Sequence, residues 1–315
     1  MTTPVARPSQ QEFLTELISG GHLLPAGEPG LYGRGMLFEH VRTAFDELVT
    51  RTSAQDQPET PRFPPLIPKH VLEKAGYLRS FPQLAGAVYS FMGDEAAARD
   101  MADRADHNRD WSVHLSMTEL VLVPAACYPA YPAMAQRGPL PKDGVTLDLG
   151  GTYVFRHEPS ADPGRLQMFH QRELVRIGEM QEVLAWRDLW MTRATTIFEQ
   201  IGVPTDFSIA SDAFFGRSGM LLANSQREQR LKFELRAPIA SHEPSAVASF
   251  NFHQDYFATA FGIRLHDGRT ANSACVGFGL ERITLALFRA HGTDLGTWPK
   301  NVRNQLWPGG VPPGR

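Results

Sequence analysis

A chain of 315 residues, 42% hydrophobic and 21% charged, is long enough to bury one large core or two medium ones and has the balance of a globular protein. Its formal net charge of -3, with no segment dominated by Lys and Arg, excludes a general polyanion binder. No stretch approaches the roughly 20 apolar residues of a membrane span, and the opening Met1-Thr-Thr-Pro-Val-Ala-Arg has no apolar signal region, so a cytoplasmic protein is expected.

Residues 1–30 are polar and Gly/Pro-rich apart from the apolar stretch Phe13 to Leu24, and are expected to form a peripheral N-terminal arm ahead of a main unit over 31–315. Leu37, Val41, Ala44, Phe45, Leu48 and Val49 recur with helical spacing and predict a helix over 36–49. Thr50 to Thr60 reads as a polar linker, disordered or in a surface loop. Arg62-Phe-Pro-Pro-Leu-Ile-Pro-Lys is extended, because each Pro pushes its predecessor out of the α region. A polar helix is expected over 94–109, and then strands over 113–123, 145–156 and 166–174, divided by Gly/Pro/Asp turns. Ile177, Met180, Val183, Leu184, Leu189, Ile197 and Phe198 form one apolar helical stripe. Strands follow over 231–235, 246–257 and 273–276, and a last helix opens near Gly279 with Ile283, Leu285, Leu287 and Phe288. Strands mixed with a few long helices, without βαβ alternation, indicate an α+β fold on a mostly antiparallel sheet.

Three segments stand out by their order. The proline-stiffened Phe63-Pro-Pro-Leu-Ile-Pro comes first. Tyr153-Val-Phe155-Arg156-His-Glu158 follows, with a Pro/Gly/Asp-rich loop and then Arg165-Leu-Gln-Met-Phe169-His-Gln-Arg-Glu173. Gly277-Phe-Gly279-Leu-Glu281-Arg282 comes last. Gly-x-Gly-x-x-Arg is no dinucleotide fingerprint here, for that motif ends in Gly or Ala within a βαβ unit. Two cysteines, Cys127 and Cys275, are too few for a disulfide framework; in a reducing compartment the plain reading is two small buried thiols.

The three segments resemble motifs 1, 2 and 3 of class II aminoacyl-tRNA synthetases over about residues 30 to 295. The resemblance implies an antiparallel sheet flanked by helices and a site that activates an amino acid with ATP. It implies that Arg156 holds the α-phosphate, as the planar guanidinium fork is suited to do. Glu158 would accept from the adenine amino group or order the loop, and Arg165 would meet the outer phosphates. Phe169 would stack under adenine with Arg282 on the opposite face. Gly277 and Gly279 would let the backbone approach the nucleotide. Magnesium is implied by polyphosphate chemistry. The usual place for its acidic ligand holds Ala246, with Glu234 and Glu243 as possible substitutes.

Cys127, Glu173 and Cys275 fall where archaeal-type seryl-tRNA synthetases, which the chain resembles, hold a zinc in the amino-acid pocket. One zinc per chain is therefore implied, with an open fourth position for the substrate amine. With little chain on either side of the motifs, the resemblance narrows to truncated relatives, the amino acid:carrier-protein ligases, which load glycine or alanine onto the phosphopantetheine thiol of a carrier protein. Arg217, Arg227, Arg230, Lys232 and Arg236 form the most basic stretch, a possible docking surface for an acidic carrier. A homodimer through the motif 1 segment is expected. The competing functions are a tRNA-charging enzyme without a dedicated binding domain, for which tRNA binding is not expected here, and a non-catalytic paralogue.

Overall fold

In the computed structural model, residues 9–240 and 243–310 are described. The main sheet has six antiparallel strands in the order β6-β7-β11-β10-β9-β8: β6 (Val145–Phe155), β7 (Met168–Gly178), β8 (Asp206–Ile209), β9 (Lys232–Ala237), β10 (Ser245–Gln254) and β11 (Asn272–Gly279). A hairpin of β1 (Leu23–Pro25) and β2 (Tyr32–Arg34) precedes it. A second sheet, in the order β3-β5-β4, joins β3 (Leu66–Pro68), β4 (Ala87–Phe91) and β5 (Leu115–Leu122). The α+β class and the antiparallel sheet flanked by helices are both present. The proline-stiffened segment supplies β3.

Side chains alternate across a pleated strand, so β7 serves two faces at once. Leu174 enters a core with Phe38 and Phe45 of the helix Met36–Ser53, Trp190 and Phe198 of the helix Met180–Gln200, and Phe288 of the helix Leu280–His291. Val175 and Ile177 enter the opposite core with Val123, Tyr131 and Phe257. Truncating a fully buried aromatic such as Trp190 to Ala would cost about 3–5 kcal/mol. Arg172, on the face of Leu174, is also buried; it pairs with Asp148 and, at 2.8 Å, with Asp46. An ion pair this deep is costly to break from one side.

Several boundaries differ from the sequence expectations. Thr50 to Thr60 is not a free linker: the helix runs to Ser53 and a 3-10 turn spans Ala54–Asp56. The Asp56 carboxylate accepts from Trp190 Nε1 at 2.9 Å and Arg193 at 2.7 Å, tying the segment to the core. Residues Gln10–Ser19 form a helix, opened by a capping box between Ser9 and Glu12, that sends Phe13 and Leu17 into the main core. Ile177 belongs to β7 rather than to the helix after it, and β10 stops at Gln254 before a short helix Tyr256–Phe261.

Candidate active site

The face of the main sheet opposite the three long helices carries the candidate site residues. Glu173 of β7 lies opposite Gly277 of β11, and Gln171 opposite Gly279. In the next ladder Cys275 faces Asn251 and Gly277 faces Ser249. Beyond it, Ser249 faces Glu234 and Asn251 faces Lys232 of β9. Period-two alternation thus aims Gln171 and Glu173 of β7, Cys275 of β11, Ser249 and Asn251 of β10, and Lys232 and Glu234 of β9 into one cavity of about 690 Å³, whose walls also include Arg156 and Asp212. Gly277 is what keeps its floor open. A Cβ there would lie 3.0 Å from Gln171 Nε2, 3.3 Å from Ser249 Oγ and 3.4 Å from Glu173 Cγ.

At the closed end, one donor atom each from Cys127, Glu173 and Cys275 lies within 4.8 Å of the others, all three residues being buried. Cys127 sits in the loop that follows β5, and β7 holds that loop. Ala126 N–H donates to Gln171 Oε1 at 3.2 Å and Cys127 N–H to Glu173 Oε2 at 2.5 Å. A hydrogen bond with Cys275, aided by burial, pushes the Cys127 thiol well above its usual range. For Cys275 the hydrogen bond with Cys127 lowers the pKa, but burial and the Glu173 charge outweigh it and the thiol is raised. Burial likewise raises Glu173. Three acidic donors that resist ionising together, yet converge without a cation between them, fit a divalent metal: two thiolates and a carboxylate are zinc ligands by type.

The nucleotide candidates lie beside this pocket. The Arg156 guanidinium stands over the Phe169 ring, 5.9 Å from its centroid. Glu158 and Arg165 form a largely exposed ion pair at 2.7 Å. Arg282 stands against the motif 2 loop. It donates to the carbonyls of Gly164 at 2.7 Å and Ala246 at 3.0 Å, so it pins the motif 2 loop, while Arg156 is the cation that meets Phe169. Burial, then the Arg156 charge, lowers the Arg282 pKa, and Glu158 and Glu234 oppose that. Gly279 caps the helix Leu280–His291. The carboxylate of Glu281 accepts from His170 N–H at 2.8 Å and from Arg34 at 3.0 Å, fixing the start of that helix to β7.

The basic stretch divides. Arg217, Arg227 and Arg230 are exposed, the first two on the helix Gly216–Glu228. Lys232 instead turns into the cavity, 2.6 Å from Asp212 and 3.3 Å from Glu234, and is not available for docking. Burial opposes ionisation of Asp212, but the Lys232 charge and a Gln226 hydrogen bond hold its pKa down at about 2. Of the two possible magnesium ligands, Glu234 lines the cavity.

Sequence reasoning missed Gln171, Asn251, His253, Asp212 and the helix over 216–228. A signal for the first three was available: Gln171-x-Glu173 and Ser249-x-Asn251-x-His253 place polar groups two apart in strands, and Gln171 falls on the face of the candidate Glu173.

No family model matches the chain. Over 281 residues, 89% of this chain and 86% of that protein, it is 44% identical to "Amino acid--[acyl-carrier-protein] ligase 1" of Bradyrhizobium diazoefficiens. Ligase 2 of the same organism is 43% identical over 89% of this chain and 84% of its own length. Among solved structures, M. kandleri seryl-tRNA synthetase in complex with A. aeolicus tRNASec superposes with a TM-score of 0.81 at 21% identity. That match covers 99% of this chain but 63% of the synthetase, so it speaks to the fold, which is that of the class II synthetases.

Proposed function

The chain belongs to the amino acid–acyl-carrier-protein ligase family, and on that premise we propose that it activates glycine or alanine with ATP and passes it to the phosphopantetheine thiol of a carrier protein. The observation that carries this reading is the buried Cys127–Glu173–Cys275 trio at the end of a cavity that also presents Arg156. It supports a site in which amine and phosphate are held a few ångströms apart.

The roles follow from position. The substrate carboxylate attacks the α-phosphorus, the bond to pyrophosphate breaks, and Arg156 at the cavity wall takes up charge on the α-phosphate. Phe169, under Arg156, stacks on adenine; Glu158 and Arg165 order the loop and meet the outer phosphates. Arg282 closes the other side by holding Gly164 and Ala246, and Gly279 leaves backbone room there. Glu234 faces the phosphates across the cavity and is the side chain best placed for magnesium. Cys127, Glu173 and Cys275 would hold one zinc, which supplies a Lewis-acid anchor for the substrate amine. Because the amine is common to all amino acids, selection falls to the volume beside it, walled by Tyr128, His253 and Phe257.

In the second step the carrier thiol gives up its proton to water, its sulfur attacks the adenylate carbonyl, the bond to phosphate breaks, and AMP leaves with its electron pair as the thioester forms. Positioning of the thiol accounts for much of the rate. The helix Gly216–Glu228 borders the cavity through Leu222, Ser225 and Gln226 and exposes Arg217, Met220, Leu221 and Arg227, which makes it the proposed docking surface for an acidic carrier. Residues 31–315 act as the catalytic unit in this reading, and no helix among the described residues is long and apolar enough to cross a membrane.

The test offers the enzyme ATP, each amino acid in turn, and either holo-carrier, apo-carrier or bulk tRNA. Glycine or alanine label is expected on holo-carrier alone, released by hydroxylamine. Label on tRNA with none on the carrier would overturn the acceptor and leave the activation chemistry standing.

A further inference from the structure

His253 enters the reading above only as a wall of the pocket, yet its environment is more specific than that. The half-buried ring sits where β10 meets β11 and stands edge-on to Phe257, with centroids 5.0 Å apart. Its Nε2 lies 3.5 Å from Cys275 Sγ. Its Nδ1 lies 3.1 Å from both the Tyr131 hydroxyl and the Ser273 hydroxyl. The Asn251 amide donates to the same sulfur at 3.3 Å. A neutral imidazole carries a single proton, on one nitrogen or the other.

The partners decide which nitrogen has it. A metal-bound Cys275 is a thiolate with no proton to give, so its neighbour must donate. A hydroxyl can donate, so Nδ1 can accept. Only the tautomer protonated on Nε2 satisfies both sides at once. We infer that His253 is a positioning residue of the metal site: locked in one tautomer by Tyr131 and Ser273, it donates Nε2–H to Cys275 and, with Asn251, holds that sulfur as a thiolate aimed at the ion. Two N–H donors on one sulfur withdraw charge from it, so His253 also sets how strongly the site binds its metal and, through the metal, the substrate amine.

This inference rests on the zinc reading, and the experiment separates the two. Full-length wild type and the variants His253→Phe and His253→Gln are loaded with zinc, and affinity is measured by competition with a chromophoric chelator; cobalt loading reports the thiolate-to-metal absorption band. Phe keeps the ring and its packing on Phe257 but has no donor. Gln places an amide nitrogen near the position of Nε2. The expected result is metal affinity 10- to 100-fold weaker in His253→Phe, with a shifted cobalt band, and recovery of most of the loss in His253→Gln. Tyr131→Phe combined with Ser273→Ala releases the tautomer lock and should weaken binding by a smaller factor, which keeps the test open if His253→Phe does not fold. Tight binding by wild type, matched by His253→Phe or by the Tyr131/Ser273 double variant, would overturn the inference alone. A wild type that takes up no metal would overturn the zinc reading and this inference with it.

Discussion

Gly277 stands directly opposite Glu173 in the β7–β11 ladder, and the space a side chain would fill at Gly277 is the space between Glu173, Gln171 and Ser249. The glycine is therefore kept for room above the strand. Gly277→Ala should fold with a Tm within a few degrees of wild type, since Gln171 and Ser249 can give way by a few tenths of an ångström. KM for the amino acid should rise, and more for alanine than for glycine. Equal effects on both substrates would show that the glycine does not border the substrate side chain.

Metal uptake should release protons. In the metal-free pocket both thiols sit above their ordinary pKa and hold their protons through the neutral range. Zinc must displace them, so about two protons per zinc should appear in calorimetry across buffers of different ionisation enthalpy at pH 7. Apparent affinity should accordingly rise with pH and fall on acidification, by about two log units per pH unit. Cys127→Ser and Cys275→Ser should each lose metal and pyrophosphate exchange together; full activity in both would end the zinc reading.

The two arginines should separate by their side effects. Arg156 makes one long side-chain hydrogen bond, to the Pro124 carbonyl at 3.5 Å, besides its distant contact with the Phe169 ring, so Arg156→Ala should cut pyrophosphate exchange by on the order of 10²-fold and leave the Tm nearly unchanged. Arg282→Ala should cost similar activity and also about 1–3 kcal/mol of stability, because the Gly164 and Ala246 carbonyls lose their donor. Unchanged exchange in both variants would remove them from the nucleotide site.

The β3-β5-β4 sheet leaves Met117, Leu120 and Tyr89 exposed, large apolar side chains of the kind a partner covers. Sedimentation at micromolar concentration should give a dimer, and the double change Met117→Glu, Leu120→Glu a monomer. A monomeric wild type would place the expected dimer elsewhere or nowhere.

For the docking helix, Arg217→Glu with Arg227→Glu should lower the ratio of thioester transfer to pyrophosphate exchange, and added salt should do the same to wild type. A ratio insensitive to both would move docking to another surface.

Much of the main sheet was legible in the sequence because its strands carry strong local signals: β6 and β7 are long, apolar and framed by turns, and Phe169 and Glu173 sit four apart along β7. The helix Gly216–Glu228 was not legible, for a physical reason. Its only buried residue is Gly219, packed against Phe214, while Met220, Leu221 and Leu222 run consecutively, so no apolar stripe marks it. Asp56 misled differently. It has the composition of a linker, and its three donors, Trp186, Trp190 and Arg193, lie far along the chain, where no local window reaches them. The trio Cys127, Glu173 and Cys275 was named from resemblance, whereas the polar neighbours that hold its geometry required the strand register.

The trio draws on a loop after β5, the middle of β7 and the middle of β11, so no two of its members are near in sequence. In the unfolded chain these three residues offer zinc no chelating pair. A zinc site built on this trio would come into being only after β7 and β11 have paired and the β5 loop has been captured by Gln171 and Glu173. Metal content in a purified sample would thus count finished molecules: chains stalled with the small sheet undocked would come through a column metal-free, and zinc per chain would serve as an assay of assembly before any substrate is added.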